Sequence, residues 1–379
     1  MYKTRVFICL LILSTSIFAQ EVKVTFTDLM VMGNDASLGK EYLFTRPFKM
    51  RTDSKNNIYL QEYIQGPYGN TALIKKYSSD GKFIAPIGQK GEGPGDFKHV
   101  VDFTVLDNDD LLIVDMGLQR LTYYDRKNNK YTVSPRVSTT INYPEIFQLG
   151  KDKILVVDNT LYQKDRNILF IKSFDWKTNY YDFGHPSLFI DSKDPLITEK
   201  IGNSRPPINT CIINENKIVA VPNFYDGMLT FLTNEKGNWR ETHFYGFKPE
   251  YPSYENIPEE NRKDMFTLKE AHAGMGSSSK YAYKQHAKSY KLFTYKNKYI
   301  LHILSVCHHP SIVNCYMDIF DMNGKYLGKN VLFDMTNDPE RNKLKAYYFL
   351  WKDKDDNFYV VEYANGLPVI KKVRMDIAF

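Results

Sequence analysis

Arg205, His272, His308 and His309 are the side chains in this sequence best suited to holding a ligand together. A guanidinium grips a carboxylate or phosphate bidentately, and Pro206-Pro207 stiffen the chain beside Arg205. A cleft needs a few such polar groups among apolar ones. His302, His308 and His309 also lie near Cys307 and Cys315, and imidazole with thiolate is a common metal set. Their spacing matches no ligand framework, so no metal is expected. Cys307 and Cys315 flank the segment CHHPSIVNC. A disulfide between them is expected if the strand register sets them opposite each other. Cys211 sits in an apolar run and reads as a buried free thiol.

The Asp-rich stretches DNDD (107–110) and DKDDN (353–357) hint at calcium. Neither has the Gly and Glu that an EF-hand loop needs, and tight-turn chemistry explains both. The Lys- and Tyr-rich stretch 277–291 could hold an anionic polymer by charge and stacking. A solvated loop is the plainer reading, and no nucleic-acid partner is expected. No G-x-S-x-G, H-E-x-x-H or P-loop occurs, and no cofactor is expected.

What would position these side chains is a repeat. An apolar run, a polar turn and a second apolar run recur six times, at 48–64, 102–115, 145–158, 209–222, 290–304 and 348–363. A second hairpin follows the first five copies, at 72–88, 120–135, 169–184, 229–246 and 315–333. Its turns carry Asp-Gly, Asn-Gly, Asn-Asn or Lys-Gly, which tolerate positive φ. Each unit is thus four antiparallel strands, a to d. LLIVD, ILVVD and FYVVEY are continuous apolar runs, as strands covered on both faces must be. Radial repetition of four-stranded sheets predicts an all-β, six-bladed β-propeller. The content of 28 Tyr and 24 Phe suits a strand-rich core.

The sixth unit ends at strand c (367–379), and EVKVTFTDL (21–29) is a spare strand. Pairing the two would close the ring. Before it, Lys3 and Arg5, the apolar Val6–Leu13 and the small Ala19 form an export signal, with cleavage expected after Ala19. The apolar run is too short to span a bilayer, and no transmembrane segment is expected in 20–379. Those residues should form one domain, with insertions at 185–207 and 247–289. The formal net charge of +6 includes Lys3 and Arg5, and the remainder is spread rather than clustered. In the longer insertion, Ile257-Pro258-Glu259-Glu260 should begin a helix with Leu268, Ala271 and Met275 on one face.

The segment 88–125 carries a G-x-x-G-x-G-P-G-x-F loop, an inner strand, a turn and then Val-Asp. It resembles one repeat of the NHL-type propellers, and is similar to the exported six-bladed propellers common in Bacteroidetes. The resemblance implies a binding or scaffold module of the cell envelope, periplasmic or extracellular, taking a glycan, a peptide or another envelope protein. Propeller enzymes (lactonases, lyases, glycan-acting enzymes) are the alternative. GEGPG precedes a strand rather than a helix, so it is not a phosphate loop. Strand parity puts the short a–b and c–d turns on one face. The long segments 185–207, 247–289 and 307–315 fall on the other, which is the expected ligand face.

Overall fold

A computed structural model describes residues 22–33, 35–39, 42–66, 69–134, 144–158, 169–175, 177–183, 208–222, 227–247, 254–257, 267–268, 282–285, 287–309, 312–334, 348–364 and 367–379. Six four-stranded antiparallel sheets follow one another around a central axis. The inner strands a are Pro47–Thr52, Val100–Val105, Pro144–Leu149, Ile208–Asn214, Ala287–Tyr295 and Tyr348–Lys352. Each first strand touches those of its neighbours around most of the ring, including that of blade six against blade one.

The core is not one mass. It is six apolar wedges, each made by two neighbouring blades. Leu149, Leu155 and Val157 of blade three, for example, meet Ile208, Ile218 and Ala220 of blade four. Every blade therefore has two apolar faces, which is why the b strands Leu111–Asp115 and Lys153–Asp158 are buried almost end to end.

The ring closes as the missing strand requires. Lys23–Met32 pairs antiparallel with Leu367–Ala378, from Lys23 opposite Ala378 to Met32 opposite Ile370. It is the outermost strand of blade six. Val22 reaches further, donating its N–H to Lys329 O at 3.0 Å and accepting from Asn330 Nδ2 at 2.6 Å. The N-terminal strand thus ties blade six to blade five.

The glycine-rich loop is a brace. Asp115, at the end of strand b, accepts the N–H groups of Lys98, His99 and Leu118 at 2.8, 3.0 and 3.0 Å. Arg120 donates to the carbonyls of Glu92, Gly93 and Asp96 at 2.9, 2.7 and 2.8 Å. Gly88 has φ +73°, and a Cβ there would come within 2.4 Å of Gly95 O. The loop joins blade one to blade two and is held against blade two by these bonds. Arg120→Ala should cost about 2 kcal/mol, because three carbonyls lose a charged donor. Chemical denaturation reads that loss directly.

Two expectations need correction. Ile257 and Leu268 lie in strands rather than in a helix: Tyr254–Ile257 and Thr267–Leu268 both pair with Ala282–Gln285. Ile257 precedes Pro258, and a residue before proline is driven toward extended backbone. Residues 258–266, Ala271 and Met275 lie outside the described residues. The Lys- and Tyr-rich stretch is also not simply a loop, since its end enters the inner strand Ala287–Tyr295.

Candidate functional site

The six inner strands enclose a cavity of about 470 Å³ at the axis. It reaches the face that carries the short a–b turns, at Asp53, Asp107, Asp109 and Lys352–Lys354. That face is opposite the one on which the long segments begin and end. Volume in this range suits a small molecule.

The inner end holds charge. Lys49 Nζ lies 3.1 Å from Asp102 Oδ1 and 3.4 Å from Glu145 Oε1. Arg51 Nη2 lies 3.5 Å from Asp102 Oδ1, and Nη1 donates to Met50 O at 2.8 Å. Asp102 Oδ2 accepts the Ile146 N–H at 2.7 Å. Asp102 is completely buried, and these partners offset the cost of placing a carboxylate there. The Arg51 guanidinium also sits 4.5 Å from the Trp351 ring centroid and 5.5 Å from that of Phe147. Stacking on aromatic faces is favourable for a desolvated Arg.

Burial alone would raise the Glu145 carboxyl. The ammonium groups of Lys49 and Lys291 and the Arg51 guanidinium outweigh it and hold the group down at about 2. Lys291 is pushed down by burial, partly offset by Glu145. A depressed carboxyl stabilises the fold above its unfolded value and loses that contribution as pH falls toward the folded one. For Glu145 the window runs from the ordinary 4.5 down to about 2. Wild type should lose about 1–3 kcal/mol more than Glu145→Gln across that window, measured by urea melts at stepped pH.

At the mouth, the acidic turns hold themselves. Asp53 accepts from the N–H groups of Lys55 and Asn57 at 3.0 and 2.8 Å and pairs with Arg126 at 2.6 Å. Asp109 accepts from the Ser54 N–H at 2.6 Å and takes the other arm of Arg126 at 2.7 Å. Asp353 accepts from the N–H groups of Asp355 and Asn357 at 3.0 and 2.9 Å and pairs with Lys372 at 2.9 Å. Gln148 bridges to Asp107, joining blades three and two. Asn56, Asp109 and Asp356 take positive φ of 58°, 67° and 60°. These are turn residues, as their types implied. Among the described residues, no three His, Cys, Asp or Glu side chains group as metal ligands.

Arg205 and His272 lie outside the described residues. His308 and His309 end the strand Tyr299–His309, with His309 opposite Ile312, and their side chains are outside the description. His302 is elsewhere. It is fully buried in blade five, its Nε2 2.9 Å from Ser289 Oγ, and burial pushes it down to about 3. The disulfide expectation is corrected by the register: Cys315 stands opposite Ser305, and Cys307 opposite Val313. Cys315 is a free thiol. Cys211 is a buried free thiol, as expected, with its thiol pushed up to about 12 by burial.

The sequence reading passed over Lys49, Arg51, Asp102, Glu145, Lys291 and Trp351. A signal was available. FKMRT, VDFTV, PEIFQL, YKLF and FLWK each place a charge inside an apolar inner strand. A charge there must be paired or face a cavity.

Six four-stranded blades closed by a strand from the opposite terminus define a six-bladed β-propeller. Residues 70–358 match the family DUF5128, described as a 6-bladed beta-propeller, and the chain belongs to that family. It is similar to the crystal structure of a candidate exported protein from Bacteroides fragilis, at TM-score 0.55 and 12% identity over 94% of this chain and 95% of that one. A gluconolactonase from Xanthomonas campestris aligns at TM-score 0.45 and 8% identity over 94% of this chain and 98% of that one. At these identities the likeness concerns the fold alone. No curated protein matches the chain. Among the described residues, no helix is long and apolar enough to cross a membrane.

Proposed function

We propose that this chain is an exported binding module of the bacterial cell envelope that takes a ligand in its axial cavity. One observation supports the assignment to binding. The cavity places Arg51, Glu145 and Lys291 beside the aromatic walls of Trp351, Phe147 and Phe293. A few convergent charges among apolar walls are what a ligand pocket requires. Export rests on the N-terminal apolar run and Ala19. The fold by itself assigns no ligand.

Trp351 is a built-in reporter. Titrating residues 20–379 with glycans, peptides and small metabolites should change tryptophan fluorescence, and Trp351→Phe should remove the change. Binding that leaves the Trp351 signal untouched, and is abolished by Ala at Arg205, His272, His308 and His309 together, would move the site to the long-loop face. That face stays a contact surface for a glycan, peptide or envelope protein in this proposal. Its support is topological: the strands flanking 185–207, 247–289 and 310–311 all end there.

Lactonase, lyase or glycan-cleaving chemistry in the same cavity would need a group that exchanges a proton near neutral pH. Glu145 is held ionised and His302 is sealed inside its blade. Lys291, pushed down by burial, is the inner-end group left to test. Turnover of a lactone that disappears in Lys291→Met would support catalysis over binding.

A further inference from the structure

We propose that the axial cavity selects a carboxylate, seated against Lys291 and Arg51 with the body of the ligand directed toward the mouth. This rests on the axial cavity being the binding site.

Charge at the inner end is unbalanced. Among the described residues, the carboxylates that Lys49, Arg51 and Lys291 face at the inner end are Asp102 and Glu145. Lys49 takes both carboxylates, and Arg51 shares Asp102. Lys291 couples to Glu145 through space, yet among the described residues it has no hydrogen bond or ion pair. Arg51 Nε and Thr210 Oγ1 are buried without a hydrogen-bond partner. Lys291, Arg51 and Thr210 all line the cavity. Leaving a buried donor unpaired is costly. A carboxylate bound there would pair with the Lys291 ammonium and the Arg51 guanidinium, and would neutralise the surplus positive charge.

The same lining argues for which way the ligand points. The mouth is acidic, at Asp53, Asp107, Asp109 and Asp353. Those carboxylates are engaged by Arg126, Gln148, Lys372 and turn amides, so they do not neutralise Lys291. They repel an anion that stays at the rim and can accept hydrogen bonds from hydroxyls on the outer end of a ligand. Phe147, Phe293 and Trp351 form the wall between the two ends and suit a ring or an apolar body. Bulk phosphate is a poorer fit, because Glu145 remains ionised next to the seat and opposes a second negative charge.

The chemistry could come from a free organic acid or from an acidic side chain of a peptide. Calorimetry on residues 20–379 with 4-hydroxyphenylacetate, galacturonate, their methyl esters, and the end-capped peptide acetyl-Ala-Glu-Ala-amide separates these sources. The expected result is that an acid or the peptide binds and that its neutral ester or Gln counterpart binds ~10- to 100-fold more weakly. Lys291→Met keeps the stem and should weaken the acid by a similar factor, whereas Lys291→Arg should retain most of the affinity. Lys291 also helps to hold Glu145 down, so melting temperature is read for both chains, and Lys291→Arg, which keeps that charge, separates a loss of binding from a loss of fold. Equal affinity for acids and esters, with Trp351 still reporting, would overturn the carboxylate preference and leave the cavity as the site. No signal from Trp351 with any probe would overturn both.

Discussion

A chain lacking residues 20–32 should lose its cooperative unfolding transition and expose hydrophobic surface to dye. The strand Lys23–Met32 supplies a ladder to Leu367–Ala378 that nothing else can replace. Val22 and Met32 are buried, in the wedge between blades five and six and the wedge between blades six and one respectively. Each such side chain contributes about 1.5–3 kcal/mol. Phe26 adds a ring contact with Phe349, and Lys371 pairs with Asp28 at 2.9 Å. The summed loss is a large part of the ~5–15 kcal/mol that a folded chain has. An open ring also leaves a long unpaired edge, which templates aggregation. Adding the missing segment back as a peptide should restore the transition. A truncated chain that melts like the parent would show that the ring holds without its clasp.

Asp102→Ala should be the most destabilising single substitution at the axis, by about 3–5 kcal/mol. It strands two cations, because Lys49 and Arg51 are each no more than about a tenth exposed. It also removes the acceptor for the Ile146 N–H, which connects blade two to blade three. Asp102→Asn keeps that acceptor and should cost less. Pairing Asp102→Leu with Lys49→Met should recover much of the loss, since an apolar pair in place of a buried ion pair is often neutral. Urea denaturation of wild type, Asp102→Leu, Lys49→Met and the double variant forms the cycle. If Asp102→Ala alone changes stability by under about 1 kcal/mol, the axial ions are solvated rather than buried.

The fold was readable because it repeats. Two-sided apolar runs such as LLIVD and ILVVD can only be strands covered on both faces, and a strand without a partner at each terminus demands closure. The turns were readable for a similar local reason: Asp53, Asp109 and Asp353 bind amides two to four residues away or on the next turn. The axial site was not readable that way. Lys49, Asp102, Glu145 and Lys291 come from four blades and lie far apart in sequence, and only closing the ring brings them together. Long loops drew the reading to the opposite face, because length signals function in a compact fold. The disulfide expectation failed on register, which sequence does not fix: a shift of two residues separates Cys307 from Cys315.

Hydrogen exchange on residues 20–379, with and without saturating 4-hydroxyphenylacetate, tests the axial site most directly. Protection should appear at the cavity-lining segments 51–54, 104–109, 145–148, 209–212, 291–294 and 350–354, drawn from all six blades. Protection confined to 185–207, 247–289 and 307–315, or no protection anywhere, would contradict binding at the axis.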